Sequence, residues 1–169
     1  MSFIILYVIC SMFAVMCYDA TRFIIPNWLV ASLLALYPLA VFMSPAVIDW
    51  KMDLLGMLGM FALGYVVFAI RAMGGGDVKL IIVLSLWVGL GNLAAFGFNF
   101  AIFGGLLSIA ILFIRKIIPL IIKNKEKLPR IFRNREPVPY GLAISGAFLW
   151  MLAHGQIAIF GDISSFIPH

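Results

Sequence analysis

Residues 80–114 read LIIVLSLWVGLGNLAAFGFNFAIFGGLLSIAILFI, 35 positions without one charged side chain. How this stretch divides decides the fold. As a single helix rising about 1.5 Å per residue it would reach roughly 52 Å, far beyond a hydrocarbon core of about 30 Å. Two shorter helices joined by a turn within 89–99 fit better, because Gly89-Leu90-Gly91-Asn92 and Gly97 supply breakers there. Four further apolar runs lie near 2–18, 27–45, 54–72 and 140–160. The expectation is therefore an all-α polytopic membrane protein with six transmembrane helices, forming a single embedded domain over 1–169.

Composition supports this reading. The chain is 64% hydrophobic and only 11% charged, with a mean hydropathy of +1.14. That is too little charge to coat a soluble domain of 169 residues. The runs are apolar all round and do not alternate, which selects helices over outer-membrane strands. No Lys or Arg precedes the run Ser2–Tyr18, so it reads as a retained first span and not as a cleaved signal. Cys10 and Cys17 lie in that span without a Cys-x-x-Cys partner, and they read as small buried hydrophobes instead of metal ligands.

Charge sets the orientation. With six spans, Arg22, Arg71, Lys79 and the eight basic residues from Arg115 to Arg135 share one side, and only Lys51 falls on the other. Eleven of twelve basic residues on one face identify that face as cytoplasmic. Both termini, together with Asp49, Asp53 and Asp162, then lie outside the cytoplasm of an inner cell membrane. The segment 115–137 interleaves basic and apolar residues, the pattern of a chain lying on anionic lipid; no fold is present to offer it to nucleic acid.

Orientation brings two acids to the same side. Asp19 ends the first span and Asp77 opens the fourth, after Gly74, Gly75 and Gly76. A carboxylate near hydrocarbon is costly and marks a candidate functional residue. Two carboxyls held close together cannot both ionise easily and share a proton. The charged member can then take a proton from water while the neutral one polarises a scissile carbonyl, which is aspartyl proteolysis. Glycines without Cβ atoms would let a substrate backbone approach Asp77 and would allow unusual backbone angles. Plainer readings exist for each part: Asp19 pairing with Arg22, Asp77 capping the fourth helix, the glycines forming a turn. The stretch is not a phosphate loop, lacking Gly-Lys-Ser/Thr at the required spacing.

Gly74-Gly75-Gly76-Asp77 matches the Gly-x-Gly-Asp signature of membrane aspartyl proteases. With its extension GGGDVKL, the Ile25-Pro26-Asn27 that follows Asp19, and PVPYGLAI at 137–144, the chain resembles the type IV prepilin peptidases. The resemblance implies six helices, Asp19 and Asp77 as the catalytic pair, and no cofactor. It implies cleavage of prepilin leaders at the cytoplasmic face, where a basic leader meets the pilin's hydrophobic segment. Long members carry a cytoplasmic insertion with paired cysteines and also N-methylate the product. This chain, starting directly in its first helix, resembles the short type of tight-adherence (Flp) pili or the archaeal preflagellin-processing relatives.

The remaining candidates are weaker. Lys79, with Arg22, could hold an acidic substrate group, although snorkelling cations are the ordinary reading. Gly74, Gly75, Gly76, Lys79, Pro139 and Gly141 form the expected substrate-binding set. Gly141 and Ser145 also make a small-xxx-small pair suited to helix contact. His154 and His169 fall on the far side, with no ligand partner at useful spacing. Competing functions are a presenilin-like protease cutting within a helix and a small proton-coupled transporter using Asp19 and Asp77; the latter would prefer acids near the midplane and an inverted repeat.

The orientation is directly measurable. In a Cys-free background, single cysteines at Ser44 or Ser164 should label from outside the cell, and one at Lys125 should label only after the membrane is opened. External labelling at Lys125 would reverse the topology.

Overall fold

The structure, a computed structural model, describes residues 1–121 and 138–161. Among these are six α-helices: α1 (Ser2–Arg22), α2 (Asn27–Met43), α3 (Trp50–Ala69), α4 (Gly75–Val88), α5 (Leu93–Ile121) and α6 (Tyr140–Ala153). No strand occurs among the described residues. The uncharged stretch divides as its glycines require. Gly89, at φ 80°, ends α4, and a 3-10 turn over Leu90–Asn92 leads into α5. By length and composition, α1, α3 and the run Leu90–Ile117 can each cross a membrane; α2 and α6 are apolar but shorter.

Helix ends depart from the apolar runs where capping outweighs hydropathy. α1 continues through the charged residues to Arg22 and closes at Phe23 in the left-handed conformation, its N–H bonding Asp19 O at 3.0 Å. Asp19 therefore stands in the last turn of α1, one turn before its end. α3 starts at Trp50, earlier than hydropathy suggests, because the Asp49 side chain accepts the Met52 N–H at 3.3 Å. It stops at Ala69, ahead of Arg71 with φ 57°. α6 ends at Ala153, short of residue 160, where Gly155 takes φ 65° and the chain beyond it buries Ile157, Ile159 and Phe160. The expected surface segment starts as a plain continuation of α5 to Ile121. Residues 122–137 of that segment, with Glu126 and Glu136, and Asp162 and His169 lie outside the described residues.

α4 and α6 form the centre. α4 buries Val78, Leu80 and every residue from Val83 to Val88; α6 buries Ala143, Ile144, Ala147, Phe148, Met151 and Leu152. α1 offers them one stripe, Ile4, Val8, Met12 and Val15, which continues one turn further to Asp19. α3 is almost wholly peripheral: only Gly56 is buried, while Leu58, Phe61 and Tyr65 are more than half exposed, as in a helix facing lipid. Cys10 and Cys17 are exposed on α1, which corrects the expectation that they are buried. Seven residues apart, the two share one face of α1, opposite the stripe that packs inward, so both face outward.

At the end of the bundle away from Asp19 and Asp77, aromatic and polar groups tie helices together. Trp87 stacks on Phe160 with centroids 5.6 Å apart and meets Tyr37 edge-on at 5.7 Å. Its Nε1–H donates to Leu33 O at 3.2 Å. The Tyr37 hydroxyl donates to Asp53 Oδ2 at 2.8 Å, while Asp53 Oδ1 accepts the Leu90 N–H at 3.4 Å. One carboxylate of α3 thus holds α2 and the turn after α4, and satisfies polar atoms that lipid would leave without partners.

α3 and α4 approach closely through Gly64. A Cβ there would lie 2.8 Å from Val78 Cγ1, a stiff branched atom, whereas Gly59 faces open space. Gly64→Ala should therefore destabilise the protein by about 1–3 kcal/mol through overpacking. Gly59→Ala should be neutral or stabilising by up to about 1 kcal/mol through helix propensity. Thermal unfolding of both variants in one detergent is the check; equal midpoints would contradict the packing.

Candidate active site

Three local structures carry the site. The last turn of α1 supplies Asp19, 4% exposed. The start of α4 supplies Asp77, and the start of α6 supplies backbone amides. Leu142 N–H donates to Asp19 Oδ2 at 3.3 Å, and the Gly141 amide also bonds that carboxylate. A helix N-terminus carries unpaired N–H groups and the positive end of the helix dipole, so it is a suitable seat for an acid in an apolar bundle. Gly141 makes the seat possible. A Cβ on it would lie 2.7 Å from Asp19 Oδ2 and 3.0 Å from its Cγ.

Asp77 is held differently. Gly74 is the N-cap of α4, so Asp77 is its third residue and not its cap. From there its carboxylate reaches back to the Gly74 amide, the arrangement of half a capping box. The glycine run also works differently from expectation. None of Gly74, Gly75 and Gly76 has positive φ, and Gly74 sits at φ −67°, ψ 147°, so no unusual backbone angle is needed. The three are close-approach positions. A Cβ on Gly74 would meet Asp77 Oδ2 at 3.1 Å, one on Gly75 would meet Phe68 at 3.3 Å, and one on Gly76 would meet Ile25 at 3.3 Å.

The two aspartates line the same recess. On one side the recess holds about 690 Å³, walled by Phe23, Phe68, Arg71, Met73, Val138 and Tyr140. On the other a smaller hollow of about 320 Å³ is lined by Ile25, Asn27, the three glycines and Lys79. Asp19, Phe23, Gly74 and Asp77 belong to both. A chain lying across the two hollows would pass over the carboxylates.

The other expected residues separate on inspection. Lys79 is at the rim of the smaller hollow, with Nζ 3.4 Å from Asn27 Oδ1. Arg22 stands over the Tyr18 ring at 5.4 Å, while Asp19 turns toward α6, so the plainer reading of an Asp19–Arg22 pair does not describe this end of α1. Pro139 is buried as the N-cap of α6, and its neighbours Val138 and Tyr140 face the larger recess in its place. Gly141 packs on Asp19 and is not among the residues lining either hollow. Phe23, Phe68, Met73, Val138 and Tyr140 were not legible as lining residues, since apolar side chains beside a membrane look alike in sequence, and Arg71 was legible only as a cytoplasmic charge. Asn27 was at least visible in the Ile-Pro-Asn that follows Asp19.

The fold and recess define an all-helical membrane protein with two acids at one end of its bundle. Residues 6–109, more than half of the chain, match the type IV leader peptidase family. The chain belongs to that family. The matched span contains both aspartates and stops before α6. No curated protein matches the chain, and no solved structure matches it.

Gly141→Ala tests the seat of Asp19. The added methyl must displace the carboxylate or part α1 from α6, and misplacement of a reacting group by 1 Å costs about a hundredfold in rate. Peptidase activity should fall by that order in protein that still inserts at normal levels. Unchanged turnover in a well-inserted Gly141→Ala protein would show that this contact does not position Asp19.

Proposed function

We propose that this chain is an aspartyl endopeptidase that removes leader peptides from type IV prepilin-like precursors at the cytoplasmic face of the membrane. The observation that carries the reading is the convergence of Asp19 and Asp77, from helices far apart in sequence, on one recess open at the end of the bundle. The six helices would all span the bilayer as one embedded domain, with both termini outside the cytoplasm. That orientation is supported by the asymmetry of the basic residues. The short α4, about 21 Å at 1.5 Å per residue, would leave Asp77 slightly below the cytoplasmic surface.

The mechanism follows from one shared proton. The ionised carboxylate accepts a proton from a water lying between the acids as that water's oxygen attacks the scissile carbonyl carbon. The protonated partner donates to the carbonyl oxygen, giving a tetrahedral diol. On collapse, the C–N bond breaks as the leaving nitrogen takes a proton from the acid that received one, and a diol hydroxyl returns its proton to the carboxylate that had donated, which restores the single shared proton. No covalent intermediate and no cofactor is involved. Gly74 keeps the recess floor low beside Asp77, and the α6 amides hold Asp19 in place through the cycle. Lys79 and Asn27 would receive the polar part of the substrate in the smaller hollow.

Purified protein in lipid vesicles, given a leader-bearing precursor with its hydrophobic segment, should release the leader. Asp19→Asn and Asp77→Asn should each lower the rate by at least about a hundredfold, the usual contribution of a general acid or base. The double variant should be hardly slower than either single one, because residues acting as a unit are not additive. Loss of the Asp77 charge at the start of α4 should cost no more than about 1 kcal/mol of helix stability, so insertion is expected to survive. Substantial cleavage by either inserted variant would overturn the paired-acid reading.

The rate should also be bell-shaped in pH. At the acid end both carboxyls are protonated and no base remains; at the alkaline end both are ionised and no acid remains. The two apparent pKa values belong to the pair. A rate rising steadily through the alkaline range would identify another base.

A further inference from the structure

Two apolar hollows lie outside the recess. One, between α2 and α3, is lined by residues including Leu34, Pro38, Trp50 and Leu54, and it shares no residue with the recess. The other lies between α3, α4 and α5, lined by residues including Met60, Val67, Met73, Phe96, Gly97 and Phe100. Met73 lines both this groove and the larger recess, and the residue following Asp77, Val78, lines the groove as well. Of these two, this hollow is the one that shares a lining residue with the recess.

Its chemistry selects an occupant. No charged side chain lines it, so a basic leader would leave cations unpaired there. It holds about 230 Å³. Roughly 150 Å³ suffices for a benzene ring, so there is room for one large apolar side chain or two smaller ones, but not for a whole helix. Met60 and Val67, seven residues apart on α3, line it over about 10 Å of helix axis. Two helical turns of apolar wall beside lipid-exposed Leu63 suit the i, i+3, i+4, i+7 face of a helix approaching from the bilayer. Gly97 leaves the wall open: nothing stands within 4 Å of where its Cβ would be.

We propose that the α3–α4–α5 groove is a substrate subsite that receives apolar side chains from the membrane-embedded helix adjoining the scissile bond, with Gly97, Phe96, Phe100 and Met60 as its selecting residues. The inference rests on the leader-peptidase reading above. It adds that the embedded part of the substrate docks along this groove while the extended junction crosses Asp19 and Asp77. A helix seated there holds the junction at the depth of the acids, and a precursor lacking that helix loses this anchorage.

The test compares two substrates in vesicles: a full precursor with its hydrophobic segment, and a short soluble peptide spanning only the cleavage junction. Gly97→Phe fills the groove. It should raise KM for the full precursor about tenfold, the scale of one misfitted apolar side chain, and shrink the preference for precursor over peptide by the same factor. Leu54→Phe, placed in the α2–α3 hollow, should leave that preference unchanged. Photo-crosslinking is the second measurement. A precursor carrying benzoylphenylalanine in its hydrophobic segment should attach to α3 or α5 at the groove in both wild-type and Asp77→Asn protein. An unchanged preference in inserted Gly97→Phe, or crosslinks confined to the α2–α3 hollow or to lipid, would overturn the subsite. Failure of the wild-type protein to cleave either substrate would count against the leader-peptidase reading itself, and the crosslink would still decide where the precursor's helix sits.

Discussion

The carboxylate of Asp19 is the demanding group in this molecule. It is nearly fully buried at the end of an apolar helix, where an unsupported charge would be costly. The start of α6 answers that demand with two backbone amides, and it can do so because residue 141 is glycine. Much of the arrangement at this end follows. α6 must begin beside the last turn of α1, and the short segment Val138–Pro139 must pass the rim of the recess. Asp77 is supported in the same manner by its own helix start, through the Gly74 amide. Both acids are therefore fixed by backbone donors rather than by side-chain cations, which leaves the recess free for a peptide.

The opposite end of the bundle keeps α4 in register. α4 is short and central, so its two ends cannot both be loose if Asp77 is to face Asp19. Trp87, near its end, is pinned by Leu33 O, Tyr37 and Phe160, and the following turn is tied to Asp53. Gly64 lets α3 lie close along the same helix. Packing at one end of α4 thus fixes the position of a carboxylate at the other, in the way that close-packed interiors transmit displacement. The peripheral face of α3, by contrast, has only lipid to satisfy, and with α4 and α5 it borders the apolar groove that shares Met73 with the recess.

What the sequence by itself determined was the class of fold, and it also singled out the two acids that the structure brings to one recess. An uncharged stretch too long for one span, broken at Gly89–Asn92, gave six helices without ambiguity about type. Charge in so apolar a chain is rare enough that Asp19 and Asp77 stood out, and the family match covers both. Their partners were decided by tertiary structure. Because the helices are apolar all round, no periodicity announced that the stripe Ile4–Val8–Met12–Val15 faces inward and carries Asp19 with it, or that Cys10 and Cys17 face out. The role of Gly141 depends on a contact across 122 positions of sequence, and that of Met73 depends on two hollows meeting. A local pattern can mark a residue whose chemistry is unusual for its surroundings. It cannot mark an ordinary glycine or methionine whose importance comes only from what the fold places against it.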